Sequence, residues 1–374
     1  MRHHWIYSGA VAKFPSFEEK SGLVDVYAHD GRKLGIALFN KGHSIVGHML
    51  AFAEETIDEA LQGRIRSALQ LRRRWFDPSH TNAFRLINAE GDGIPGVIVD
   101  CYNDVLILQI SHPVIDSHFK PKLIDYLIQE CKPRAIFEKS TSFMRRKEGL
   151  PEVRLHHYGE PVTQVPILEK GLHFMVDLVE GQKTGLFLDQ REMRSLVKEL
   201  SANRRVLNCF AYTGGFSVAA LAGGAQFVDS VEISAKCAPL VEQNLTLNRL
   251  QNHRFIQEDV FEFLKNTPLD SYDLIILDPP AFVKKRDDID KAFRAYKDLN
   301  RHTMQKMGAN TLLLTCSCSY HVGEELFQNI LFRAAVEAGR QVRILSRHRQ
   351  ALDHSISIFH PESAYLKSFL LHIV

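Results

Sequence analysis

Residues 205–234 read RVLNCFAYTGGFSVAALAGGAQFVDSVEIS, and this stretch decides how the rest of the chain is understood. Val206 and Leu207 sit in a short apolar run suited to a buried parallel strand. Tyr212, Thr213, Gly214 and Gly215 interrupt it. Two adjacent glycines let the main chain turn sharply and let a ligand approach it with no side chain between. Phe216 to Leu221 resumes an apolar helical pattern, so a helix N-terminus points at whatever the loop holds. A second strand, Phe227 to Val231, runs into Glu232. That acid lies about 20 residues beyond the loop, where doubly wound folds set a carboxylate on ribose hydroxyls.

The loop is not GxGxxG. A dinucleotide fingerprint packs glycines to seat a pyrophosphate on the helix end. Here Phe210 and Tyr212 crowd the turn. A bulkier loop suits a ligand with a nucleoside and no phosphate, such as S-adenosylmethionine (AdoMet), and disfavours a dehydrogenase. The plain alternative is an ordinary tight turn in a structural sheet.

Downstream and upstream of this unit, from residue 171 on, strands and helices alternate. Strands are expected at 172–178, 254–257, 272–277, 311–315, 342–346 and 366–374, with helices at 189–200, 235–248, 292–307 and 324–338. Glu232, Asp259, Asp278 and the pair Cys316 and Cys318 all fall just past strand C-termini, the edge at which open α/β sheets bind ligands.

The N-terminal part differs. Residues 1–50 read as a compact β module, with strands at 23–27, 34–39 and 44–50 and a turn at Asp30-Gly31. Thr56-Ile57-Asp58-Glu59 has the form of a capping box. Ile57, Leu61, Ile65 and Leu69 then recur every four residues, so a helix is expected over 57–74. Its far end carries Arg64, Arg66, Arg72, Arg73 and Arg74, either a solvated face or a ridge that contacts phosphates. Residues 84–171 read as a second α+β unit, with strands at 84–88, 97–100, 105–110 and 135–139, a helix at 119–131 and a basic loop at 143–152.

A length of 374 residues predicts two or three domains. Hydrophobic residues at 45% and charged residues at 24% are ordinary for a soluble chain able to fill real cores. The net charge of +2 means that any nucleic-acid binding must come from local patches. No apolar run reaches about 18 residues and no signal segment opens the chain, so no membrane association is expected. Six cysteines without a CxxC argue for a reducing cytoplasm and no structural zinc.

Several segments together carry a resemblance. They are Trp5-Ile6-Tyr7-Ser8-Gly9-Ala10, Asn88-Ala89-Glu90-Gly91-Asp92-Gly93-Ile94-Pro95-Gly96, Gly181-Gln182-Lys183-Thr184-Gly185 with Leu188-Asp189-Gln190-Arg191, and Phe210-Ala211-Tyr212-Thr213-Gly214-Gly215-Phe216. Asp278-Pro279-Pro280-Ala281-Phe282, Ser317-Cys318-Ser319, Asp353-His354 and Tyr365-Leu366-Lys367 complete them. The chain resembles, nearly end to end, the bacterial 23S rRNA cytosine-5 methyltransferases of the class I AdoMet-dependent group. The resemblance implies an α/β fold: a Rossmann-like class I methyltransferase domain at 171–374, an N-terminal PUA-like β domain at 1–75 and a small central α+β domain at 76–170. It departs from the family at His48-Met49, where an arginine is usual, and at Ser355, where a proline is usual.

The chemistry has its own logic. Carbon 5 of a pyrimidine is a poor nucleophile until a thiolate adds at carbon 6, so the reaction needs a cysteine beside the methyl donor. Cys318 sits in the Ser-Cys-Ser context of the family. Cys316 has a Thr-Cys-Ser context like that of other RNA cytosine-5 methyltransferases. In extended backbone the two would point the same way, so one could attack while the other assists release. Pro280 occupies the position at which many such enzymes keep a second cysteine. Two buried structural thiols are the alternative.

The resemblance further implies that Asp278 contacts the cytosine edge, and that Asp259 and Val260 hold the adenine. Glu232, with Ile233, would take the ribose, while Asn208, Phe210, Tyr212, Thr213 and Gly214 would hold the methionine end. Phe187, Asp189 and Gln190 would close over the cofactor. Arg72, Arg73, Arg145, Arg146, Lys284 and Lys285 are candidate RNA contacts, large-subunit ribosomal RNA is the expected partner, and homodimer formation is left open. Other readings of the same residues are a methyltransferase for a different base atom and a non-catalytic RNA-binding protein with an AdoMet pocket.

Overall fold

A computed structural model describes residues 3–16, 20–41, 44–282 and 288–374. Contacts divide the chain into two compact units. The first comprises Met1–Gly171, Val176–Leu188 and Leu352–Ser363; the second comprises Leu172–Met175, Asp189–Ala351 and Ala364–Val374. No helix among the described residues is long and apolar enough to cross a membrane.

The first unit opens with β1 (Trp5–Tyr7), β2 (Ser21–Tyr27), β3 (Lys33–Asn40) and β4 (Ile45–Phe52), an antiparallel sheet in the order β1-β4-β3-β2. Helix α1 (Ile57–Trp75) begins at the expected capping box. The Thr56 hydroxyl accepts from the Glu59 N–H at 3.2 Å, and the Glu59 carboxylate accepts from the Thr56 N–H at 2.9 Å.

β5 (Ala83–Asn88), β6 (Val97–Tyr102), β7 (Val105–Ile110), α2 (Lys120–Cys131), β8 (Ala135–Ser140), α3 (Phe143–Lys147) and β9 (Val153–Tyr158) follow. They build a sheet in the order β5-β6-β7-β8-β9, with only β7 and β8 parallel because α2 crosses between them. Leu38 and Leu50 of the first sheet, Leu61 and Ile65 of α1, and Val99, Leu108 and Leu123 beyond it share one apolar core. The β module and the central α+β segment therefore pack as one body. The segment expected to be a basic loop at 143–152 instead holds α3, whose first turn is capped by the Ser142 hydroxyl accepting from the Arg145 N–H at 3.2 Å.

The hairpin of β10 (Gln164–Glu169) and β11 (Leu172–Asp177) carries the chain onward. The second unit then runs α4 (Arg191–Leu200), β12 (Arg205–Cys209), α5 (Gly215–Ala222), β13 (Phe227–Glu232), α6 (Ala238–Leu247), β14 (His253–Gln257), α7 (Val260–Asn266) and β15 (Leu274–Leu277). It closes with α8 (Ile289–Lys306), β16 (Thr311–Ser317), α9 (Glu324–Ala338), β17 (Val342–His348) and β18 (Lys367–Ile373).

The seven strands order as β14-β13-β12-β15-β16-β18-β17, parallel except for β18, which runs antiparallel to both β16 and β17. The chain enters the sheet at the interior strand β12, winds outward to β14, and returns to β15 on the other side. The direction of winding reverses between β12 and β15, so the crevice beyond their carboxyl ends is the ligand position for an open sheet. The loops that leave β12 and β15 are Phe210 to Gly214 and Asp278 to Pro280.

Candidate active site

The loop after β12 is held in a conformation that ordinary side chains resist. Phe210 and Tyr212 both have positive φ, +59° and +48°. Non-glycine residues there store strain that the surroundings must offset. Two groups do so. The Ala211 N–H donates to the Val231 carbonyl at 3.1 Å. The Glu232 carboxylate accepts from the Tyr212 N–H and from the Ser234 N–H, each at 3.0 Å. Gly214 follows at φ +78°, where an added Cβ would stand 3.1 Å from Val241. Thr213 is buried, and its carbonyl accepts from the Asn244 amide at 2.9 Å.

Glu232 thus does two things. It fixes the loop through one acceptor contact on each oxygen, and each oxygen keeps further lone-pair capacity for hydroxyl donors. Ile233 beside it is exposed and offers an apolar surface. The Asn208 side chain turns into the sheet's helix-covered face, where its amide donates to the Ser217 hydroxyl at 2.8 Å and its carbonyl oxygen is buried without a hydrogen-bond partner.

Asp259 is the N-cap of α7; its carboxylate accepts from the Phe261 and Glu262 N–H groups at 2.9 and 3.2 Å. The pattern Asp259-x-x-Glu262 was the signal for a helix that the sequence reading did not place. Val260 opens that helix and is buried.

Asp278, at the end of β15, accepts from the Gln190 side-chain amide at 2.8 Å. Asp189 accepts from the Tyr365 hydroxyl at 2.5 Å, and its carbonyl accepts from the Ala351 N–H at 3.0 Å. Gln190 and Asp278 are thereby joined at the same strand ends. Phe187 belongs to the first unit, where Lys183 stands over its ring at 4.7 Å.

The two cysteines part company in their surroundings. Cys316, inside β16, is fully buried, and burial pushes its thiol well up, with the Asp278 carboxylate acting in the same direction. Cys318 lies just past the strand end, is partly exposed, and has its sulfur 3.7 Å from the Pro279 carbonyl. Of the two it is the partly exposed thiol, and it lies beside the Asp278 loop.

Two further side chains, Lys367 and Tyr296, for which residue spacing predicts no role, lie near it. Buried Lys367 donates to the Ser319 and Tyr365 carbonyls, both at 2.7 Å, and burial pulls its ammonium down to about 8 while Cys318 acts in the opposite direction. The Tyr296 hydroxyl lies 2.9 Å from the Ser319 hydroxyl and is pushed up to about 12, chiefly by burial. Phe210, Phe261, Phe282 and Tyr296 form a row with ring separations of 6.4, 5.9 and 4.6 Å, an apolar wall between the glycine loop and the β16 loop. Sequence spacing has no signal for this row, because its members come from four separate loops and helices.

These residues fit a nucleoside-bearing ligand: the Glu232 carboxylate has acceptor capacity left over, and the Phe210 and Phe261 rings stand beside the glycine loop. A description of S-adenosylmethionine-dependent methyltransferases matches residues 148–347, and a PUA-like domain matches residues 1–52. The chain belongs to the S-adenosylmethionine-dependent methyltransferases. The ribosomal RNA large subunit methyltransferase I of Alteromonas mediterranea is 36% identical over 378 residues, covering 100% of this chain and 95% of that protein. The same enzyme of Serratia proteamaculans is 36% identical over 381 residues, with 100% and 96% covered.

Among solved structures, a Streptococcus mutans SAM-dependent methyltransferase aligns with a TM-score of 0.84 at 26% identity, covering 99% of this chain and 95% of that one. A methyltransferase complexed with S-adenosylhomocysteine aligns with a TM-score of 0.85 at 25% identity, covering 100% and 96%. This methyltransferase therefore has the class I fold with an N-terminal PUA-like domain, and AdoMet is its cofactor.

The expected RNA contacts need correction at two positions. Arg72 is fully buried: it forms a bidentate pair with Asp92 at 2.7 Å and donates to the Arg85 and Asp353 carbonyls. Arg145 is fully buried as well, paired with Asp116 and donating to the Ile110 and Pro151 carbonyls. Buried charges must be paired, so both guanidiniums hold the first unit together and are not presented to phosphates. Arg73 and Arg146 are exposed, the latter paired with Glu152 at 2.6 Å. Lys284 and Lys285 lie outside the described residues.

Proposed function

We propose that this methyltransferase acts on large-subunit ribosomal RNA and methylates carbon 5 of a cytosine through a covalent adduct on Cys318. The curated relatives, named for methylating the large ribosomal subunit's RNA and aligned along the whole chain, support the substrate. The accessible thiol beside the Asp278 loop is the single observation that supports the chemistry.

The Cys318 sulfur, as thiolate, adds to carbon 6 and leaves the electron pair of the 5,6 double bond on the ring. Carbon 5 then takes the methyl group. Bound AdoMet supplies that group as an electrophile on a sulfonium. Loss of the carbon 5 proton re-forms the double bond and expels the sulfur. Asp278, oriented by Gln190, faces the base edge, accepting from the exocyclic amine or donating to the ring nitrogen. Glu232 and the loop it orders hold the cofactor. A stacked base cannot reach a recessed thiol, so the target is single-stranded or flipped out. Arg73, Arg146 and the PUA-like residues position the RNA through its backbone, and such a substrate meets the enzyme in the cytoplasm.

The test is incubation with AdoMet and unmodified 23S rRNA, followed by nucleoside mass spectrometry. 5-Methylcytidine is expected, formed by wild type and lost in Cys318→Ala with AdoMet binding retained. A different methylated nucleoside, or full activity in Cys318→Ala, overturns the proposal.

A further inference from the structure

Histidines far apart in the chain meet in the first unit. Among the described residues, His3, His360 and Glu362 form a group whose ligand atoms all lie within 4.8 Å of one another. His3 Nε2 stands 3.5 Å from Glu362 Oε1, and His360 Nδ1 stands 3.2 Å from Glu362 Oε2. His360 is 2% exposed, and Trp5 packs its ring 4.3 Å from the His360 ring, centroid to centroid.

The geometry is not that of a simple ion pair. Although close, His360 Nδ1 and Glu362 Oε2 are both buried without a hydrogen-bond partner, so nitrogen and oxygen are not aligned on each other. Buried polar atoms are seldom left so, because the cost is about 1–3 kcal/mol each. A cation bound between them would satisfy both atoms, and His3 offers a third ligand atom within 4.8 Å of each residue's own. Ligands about 2.0–2.1 Å from a tetrahedral zinc stand about 3.4 Å from each other; each imidazole nitrogen lies near that distance from one Glu362 oxygen, His3 Nε2 from Oε1 and His360 Nδ1 from Oε2.

We propose that His3, His360 and Glu362 bind a zinc-class divalent cation through two imidazole nitrogens and one carboxylate oxygen, with a fourth position open to water. Two nitrogens and one carboxylate suit zinc among the borderline ions. A ligating histidine commonly donates its second ring N–H to a carbonyl, and His3 Nδ1 lies 3.2 Å from the Trp5 carbonyl. The same nitrogen lies 3.0 Å from the Trp5 N–H, which favours the other tautomer in metal-free protein. Metal binding selects the first. His3 is partly exposed, which provides the way in. The ion clips the start of the chain to the 352–363 segment, and its binding energy is added to folding.

The experiment uses untagged full-length protein, stripped with a chelator, loaded with Zn2+, desalted, and analysed for metal by mass spectrometry. Competition against a chromophoric chelator gives the affinity. Wild type is expected to retain one equivalent. His3→Gln and Glu362→Gln alter partly exposed side chains, are checked for folding by circular dichroism, and should each weaken zinc on the order of tenfold or more. The double variant Cys316→Ser with Cys318→Ser, which removes the competing thiols, should retain the equivalent at wild-type affinity. No zinc in wild type, wild-type affinity in either single variant, or loss in the thiol variant overturns the proposal.

Discussion

Lys367 donates to the carbonyl of Ser319 at 2.7 Å, which sets a buried ammonium beside the residue that follows Cys318. β18 runs antiparallel to β16, so a lysine near the C-terminus reaches the end of the strand that leads to Cys318. Burial lowers the lysine to about 8 from its usual 10.5. It is therefore cationic below about pH 8 and loses its charge as pH rises through that value. While charged, it favours the thiolate. Lys367→Met should slow iodoacetamide alkylation of Cys318 at pH 7 by roughly tenfold, the effect of about one unit in thiol acidity. Lys367→Arg should retain most of the rate. The gap between wild type and Lys367→Met should narrow as pH rises past about 8. Peptide mass spectrometry of the alkylated protein reads all three.

Glu232 accepts two loop N–H groups, so its removal leaves the Tyr212 and Ser234 donors unmatched. Glu232→Ala should cost about 1–3 kcal/mol in urea unfolding. It should also weaken AdoMet by roughly tenfold or more in calorimetry, the loss of a charged acceptor for two hydroxyls. Glu232→Gln keeps one acceptor oxygen and should retain more of the stability than of the affinity.

Gly214 has φ +78°, and a Cβ there would press on Val241 at 3.1 Å. Gly214→Ala should destabilise by about 1–2 kcal/mol from the backbone alone, read as a lower thermal midpoint. Adding Val241→Ala relieves the contact and leaves the backbone cost, so the midpoint should recover only in part.

Arg72 and Arg73 are sequence neighbours with opposite fates. Arg72 is fully buried and paired with Asp92. Arg72→Ala should destabilise by about 3–5 kcal/mol, because it leaves the carboxylate uncompensated. Arg73 is exposed. Arg73→Ala should leave the thermal midpoint unchanged and reduce the salt dependence of RNA binding by about one unit of slope. Unfolding curves and filter binding at several salt concentrations separate the two.

Helix periodicity, caps and strand runs are local, and they were legible in the chain. Residues 324–338 read as a helix and are α9, and Thr56 caps α1 as its spacing implies. The strand-loop-helix-strand at 205–234 follows from apolar runs broken by glycine, and its tight loop from Gly214. Short elements were missed where the pattern is weak: α7 spans only 7 residues, and β9 buries none of its 6 side chains and shows no alternation.

What the sequence determined by itself is therefore the order of elements and the acids and thiols that end them, since chain direction and period are properties of neighbours. Only the tertiary structure decided which of two cysteines is open, which of two adjacent arginines is buried, and that His3 meets His360. Burial and convergence depend on what packs above a residue from elsewhere in the chain, and residue spacing does not encode that.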